Sequence, residues 1–158
     1  LSRKRWLMPK LYTDANPNTI AYYKEDIGSG YTQLPKPVTS MQAEYLAIRY
    51  GLIEYFIKCG GELDARQGEL DIEKLEATGK YEFYNVASPA DRTPRPLPPP
   101  VVVLCDNQVV VNQLSRQYHI GNEELRKIAQ SIWQMTKGVD VKYEWISRKE
   151  NLAGKMLK

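Results

Sequence analysis

The chain is poor in the features that would tie it to a membrane or to an oxidising compartment. It has two cysteines, Cys59 and Cys105, and the second lies in an apolar run where a thiol packs like any small apolar side chain. Reduced thiols in a cell interior are therefore expected. No apolar stretch approaches the roughly 18 residues of a membrane span, and the basic start, Arg3 to Arg5, is not followed by an apolar signal core. These absences lead us to expect a soluble, cytoplasmic protein with no membrane partner. A formal net charge of +3 permits a polyanionic partner without demanding one. There is one histidine, His119, in the segment Gln117-Tyr118-His119-Ile120, and it reads as structural. No internal repeat is present.

What is there fits one globular domain: 158 residues, 42% hydrophobic and 26% charged, support a single core. A strand is predicted from Pro9 to Asp14, a turn at Ala15-Asn16-Pro17-Asn18, a second strand from Thr19 to Lys24 and a third around Gly30 to Leu34, ended by Pro35 and Pro37. Thr39 or Ser40 should cap a helix from about Met41 to Cys59, with Ala43, Leu46, Ala47, Tyr50, Ile53 and Ile57 at helical spacing and Glu44 beside that face, on a side that reads as solvated.

Residues 62–100 differ in character: a charged stretch, an aromatic patch at Tyr81, Phe83 and Tyr84, then the Pro-rich run ending at Pro100. We read them as an insertion within the domain, either a plain connector or a docking surface for a protein partner. Val101 to Cys105 is a continuous apolar run, the pattern of a strand covered on both faces. Helices are expected at about Gln108–Arg116 and Asn122–Thr136, then a last strand, Val139 to Trp145, with Val139, Val141, Tyr143 and Trp145 on one side and a wet opposite face. This order predicts an α/β fold, a mixed sheet with helices packed on it.

Asp14 and Asp106 each stand where a predicted strand ends, and ligands of open α/β sheets bind beyond strand ends. Taken singly, each reads as a turn or cap residue. Their contexts carry more. Leu-Tyr-Thr-Asp14, Thr39-Ser-Met-Gln-Ala-Glu44-Tyr, Leu-Cys-Asp106-Asn-Gln-Val-Val-Val-Asn-Gln-Leu and Tyr143-Glu-Trp145-Ile-Ser-Arg148-Lys-Glu-Asn151 resemble, in order, four segments of type 1 ribonuclease H. The resemblance spans residues 8–59 and 101–158.

That resemblance implies a five-stranded sheet, three antiparallel strands followed by parallel ones. It also implies a divalent-metal-dependent endonuclease that cuts the RNA strand of RNA–DNA hybrids, leaving 3′-hydroxyl and 5′-phosphate ends. Asp14, Glu44 and Asp106 would be the catalytic and metal-binding carboxylates for Mg²⁺, with Mn²⁺ as a substitute, since hard ions prefer carboxylate oxygen. Ser40, where the family usually has Asn, and Gln108 would meet the hybrid's minor groove. Asn16, Arg116, Arg148, Lys149 and Asn151 are further candidates for nucleic-acid contact.

One departure bears on activity. The family's fourth carboxylate follows the last loop in a pattern like Asn-x-x-Ala-Asp, whereas this chain reads Asn151-Leu-Ala-Gly154-Lys155. Lys155, or Gly154 if the alignment shifts by one, stands in its place, and neither supplies an anionic oxygen. Glu150 is a weak candidate to replace it. The alternative reading is thus a catalytically weak or inactive hybrid-binding module; another nuclease or recombinase on the same sheet is a third. The start at Leu1 and the end at Lys158, just inside the family's last helix, read as a domain cut from a longer chain.

Overall fold

A computed structural model describes residues 8–59 and 99–157. The expectations for Arg3 to Arg5 and for the insertion, apart from its last two residues, lie outside the described residues, as does the Cys59 side chain. Within them a five-stranded sheet is ordered β3-β2-β1-β4-β5, with β1 at Lys10–Asn16, β2 at Thr19–Lys24, β3 at Gly28–Gln33, β4 at Val101–Cys105 and β5 at Val141–Trp145. β1 pairs antiparallel with β2 and β2 with β3, while β4 runs parallel to both β1 and β5.

Turn chemistry sets the antiparallel half. The Asn16 side-chain oxygen accepts from the backbone N–H groups of Asn18 and Thr19, both at 2.9 Å, and Pro17 between them fixes the bend. At the next turn Gly28 takes a φ of +100°, a conformation that costs glycine little. The ladder therefore closes at Lys24↔Gly28, and β3 begins two residues earlier than its apolar pattern suggests.

Helix α1, Ser40–Cys59, is capped by Thr39: its hydroxyl accepts from Gln42 N–H at 3.1 Å, and the Gln42 side chain accepts from Thr39 N–H at 3.1 Å. This is a reciprocal cap. Gly51 lets the helix lie close on the sheet, since a Cβ there would stand 3.1 Å from Thr13 Cγ2 and 3.3 Å from Leu11 Cδ2. Helix α2, Gln108–Leu114, is capped by Asn107, whose side chain accepts from the N–H groups of Val109 and Val110. It stops short of the expected Arg116 because that residue turns to a φ of +64°, which ends a helix. Helix α3, Glu123–Met135, is capped by Asn122 and carries Glu123 and Glu124 in its first turn, where anions suit the helix dipole.

The core joins Leu11, Ile20, Val101 and Val103 of the sheet to Tyr45, Leu52 and Tyr55 of α1 and to Ile128 and Ile132 of α3. Every residue from Ala43 to Arg49 is buried, so α1 is enclosed around its second and third turns and the expected solvated side for Glu44 does not exist. β5 begins at Val141, not Val139, because Val139 N–H donates to Thr136 O instead of joining the ladder. Trp145, grouped by alternation with the apolar side, is 51% exposed. Two 3₁₀ segments follow, Arg148–Glu150 and Leu152–Leu157. No helix among the described residues is long and apolar enough to cross a membrane.

Candidate active site

Parallel pairing of β1 with β4, in the register Tyr12↔Leu104, brings Asp14 and Asp106 side by side at the carboxyl edge of the sheet. Glu44 enters from the second turn of α1. One carboxylate oxygen from each of the three lies within 4.8 Å of the others, the only such cluster of potential metal ligands among the described residues. All three sequence candidates for metal binding are thus brought together by three separate elements.

The electrostatics of this cluster are unfavourable as it stands. Glu44 is 7% exposed, and its Oε1 has no hydrogen-bond partner. Burial, then the charges of Asp14 and Asp106 and a hydrogen bond with Asp106, push its carboxyl up to about 9. Burial, and next the Asp106 charge, raise Asp14 to about 6, against the 2.8 Å hydrogen bond from Ala15 N–H. Three carboxylates held this close require protons or a cation. An all-oxygen donor set of this kind suits a hard divalent ion such as Mg²⁺ or Mn²⁺.

Asn151 holds the cluster from the far end of the chain. It is 4% exposed; its amide donates to Thr13 O at 2.9 Å and to Asp106 Oδ2 at 3.2 Å, while its oxygen accepts from Ala153 N–H at 3.1 Å. With both amide hydrogens engaged inside the protein, the Asn151 side chain orients Asp106. The signal for that role is tertiary, so local pattern could not supply it.

The remaining candidates separate. Ser40 and Gln108 are exposed at the first positions of α1 and α2, the helix ends nearest the carboxylates. Arg148 and Lys149 are exposed on the first 3₁₀ segment, and the Arg148 charge reaches Asp14 and Glu44, lowering both carboxyls. The Asn16 oxygen is engaged in the β1–β2 turn. Arg116 lies beyond the other end of α2, its guanidinium 4.0 Å from the centre of the Trp133 ring. His119 is exposed, away from the carboxylate group.

The structure also distinguishes the two residues that the resemblance sets in place of a fourth acid. A Cβ built on Gly154 would stand 2.9 Å from Asp14 Oδ2, whereas Lys155 is exposed. Gly154 is the one that adjoins the cluster. Glu150 is exposed and accepts from the Ser147 hydroxyl at 2.9 Å. Sequence reasoning missed Trp145, whose indole N–H donates to the main-chain oxygen of Asp106 at 3.1 Å.

A family model described as "Reverse transcriptase-like" matches residues 98–157. No curated protein matches the chain in sequence. Among solved structures, the N-terminal RNase H domain of a Mycobacterium tuberculosis protein, fused to maltose-binding protein, superposes with a TM-score of 0.59 at 17% identity, over 94% of this chain and 91% of that one. RNase H1 from the halophilic archaeon Halobacterium salinarum gives 0.59 at 16%, over 95% and 97%. LC11-RNase H1, solved in complex with an RNA/DNA hybrid, gives 0.58 at 17%, over 93% and 91%.

Proposed function

We propose that this chain, which shares the fold of the RNase H domains it superposes on, is a divalent-metal-dependent endonuclease acting on the RNA strand of RNA–DNA hybrids. One observation carries the reading: three carboxylates from β1, α1 and the end of β4 share a space of 4.8 Å, with the buried Glu44 Oε1 left without a partner. Carboxylates so arranged repel one another unless they hold protons, and an ion would remove the conflict.

Asp14, Glu44 and Asp106 would hold Mg²⁺ or Mn²⁺, with Asn151 fixing the Asp106 carboxylate. When bound, the metal supplies a water acidified for attack and charge stabilisation at the phosphate. The protein's own part is placement. The Ala15 N–H orients Asp14, the Asn151 amide orients Asp106, and burial keeps bulk water from Glu44. Arg148 and Lys149 supply cations for backbone phosphates beside the cluster, and Ser40 and Gln108 offer a hydroxyl and an amide for ribose 2′-hydroxyls and base edges. That a structural neighbour, LC11-RNase H1, is held on an RNA/DNA hybrid supports this choice of substrate.

A second reading, a weakly active or inactive hybrid-binding module, is favoured by Gly154: the residue that adjoins Asp14 brings no oxygen ligand. The deciding experiment is cleavage of a labelled RNA–DNA hybrid with Mg²⁺ and with Mn²⁺, set against duplex DNA and duplex RNA, for the wild-type chain and Asp14→Asn. Hybrid-selective cleavage abolished by Asp14→Asn is the expected outcome. Binding of hybrid without cleavage in either metal would establish the module instead.

A further inference from the structure

Trp145 has a large ring in an unusual position. It closes β5, registers with Cys105 on β4, and is 51% exposed, although its strand neighbours on that side, Val141 and Tyr143, are packed against the core. Its one polar atom is already engaged: the indole N–H donates to the main-chain oxygen of Asp106 at 3.1 Å. That bond anchors the ring beside a residue of the carboxylate cluster. What Trp145 offers to solvent is therefore carbon surface, with no free donor or acceptor.

An exposed indole is costly to leave in water, and here it adjoins Asp106 on one side and leads through Ile146 and Ser147 to the exposed Arg148 on the other. An aromatic face, a guanidinium and a carboxylate cluster within one short stretch match the parts of a nucleotide: base, phosphate and metal-bound phosphate oxygen. The bases inside a duplex already have both faces covered by their neighbours, so a flat ring at the site's rim can stack only on a base at or beyond a duplex end.

Resting on the nuclease reading above, we propose that Trp145 is a substrate-contacting residue, a platform for an unpaired base next to the phosphate at the carboxylates. The site accordingly prefers the junction between a hybrid and a single-stranded RNA tail to the interior of a blunt hybrid. Nothing in this assignment requires turnover, so it applies to the enzyme and to the binding module alike.

The test is equilibrium binding in Ca²⁺, without Mg²⁺, of a blunt RNA–DNA hybrid and of the same hybrid with a single-stranded RNA tail. Wild-type, Trp145→Phe and Trp145→Ala chains are compared, with thermal melts to confirm folding. The wild-type should bind the tailed hybrid about 10-fold more tightly, the range of one base stacked on an aromatic ring. Trp145→Ala should lose that preference and Trp145→Phe should keep most of it. Indole emission should fall on binding the tailed hybrid in the wild-type and not in Trp145→Phe. An equal loss for both hybrids in Trp145→Ala, or no loss at all, overturns the proposal while leaving the nuclease reading intact. Failure of the wild-type to bind either hybrid overturns both.

Discussion

Asn151 and Asp106, 45 residues apart in sequence, are joined by a 3.2 Å hydrogen bond that ties the end of the chain to the carboxylate cluster. The same amide group holds Thr13 O on β1, so one buried side chain sets the spacing between two strand ends. Asn151→Ala should leave the Thr13 carbonyl without its side-chain partner and lower stability by about 2 kcal/mol, read as a shift in the urea midpoint. It should also weaken Mn²⁺ binding about 10-fold, the usual cost of losing a group that orients a metal ligand. Unchanged Mn²⁺ affinity in a folded variant would show that Asp106 does not need this partner.

The raised carboxyls of Asp14 and Glu44 make stability depend on pH in a definite direction. Their folded values of about 6 and about 9 exceed the ordinary 3.8 and 4.5, so the native state retains protons that the unfolded chain has released. Stability of the metal-free chain is then full below about pH 4 and declines as pH rises through the folded values. A divalent ion replaces those protons. The rise in Tm produced by Mn²⁺ over chelator should be much larger at about pH 8.5 than at about pH 5; equal rises at both would contradict the assignment of these groups.

Glu44→Gln removes the buried charge while keeping the shape. The metal-free variant should melt a few degrees higher than wild-type at about pH 8.5, where the native carboxyl is under strain to ionise, and the Mn²⁺-induced rise should shrink or vanish. A wild-type-sized rise in the variant would remove Glu44 from the ligand set.

Where the resemblance implies a fourth acid, the two neighbouring residues should behave differently. Gly154→Asp brings an anion against the cluster and should raise Mg²⁺-dependent hybrid cleavage by roughly 10-fold, about 1.4 kcal/mol of barrier. Gly154→Ala adds only a Cβ 2.9 Å from Asp14 Oδ2 and should lower it. Lys155→Asp, on an exposed side chain, should change the rate by less than about twofold. The reverse order for Gly154→Asp and Lys155→Asp would place the empty position at 155.

The sequence carried much of this architecture because its signals are local: the apolar run Val101 to Cys105, the turn at Asn16 to Asn18, the cap at Thr39. The three carboxylates were legible through the short motifs around them. Three features were not. Glu44 lies on a stretch of helix, Ala43 to Arg49, that is enclosed by elements far away in sequence, so helical periodicity misjudged its burial. The choice between Gly154 and Lys155 cannot be made by counting from Asn151. A 3₁₀ turn, here marked by Gly154 N–H donating to Asn151 O at 3.1 Å, advances three residues per turn where an α-helix needs 3.6. Alternation along β5 placed Trp145 with the buried residues, but the strand's last position extends past the packing that covers Val141 and Tyr143.

The phenol of Tyr55, near the end of α1, donates to the carbonyl of Pro99 at the threshold of β4, at 2.6 Å. Tyr55 precedes Cys59 by four residues, about one helical turn, so this bond fastens the last turns of α1 to the start of β4. Closing a longer loop adds only about 0.6 kcal/mol per doubling, so a clasp at this position leaves the spacing of the strand ends that hold Asp14 and Asp106 to the contacts among the described residues.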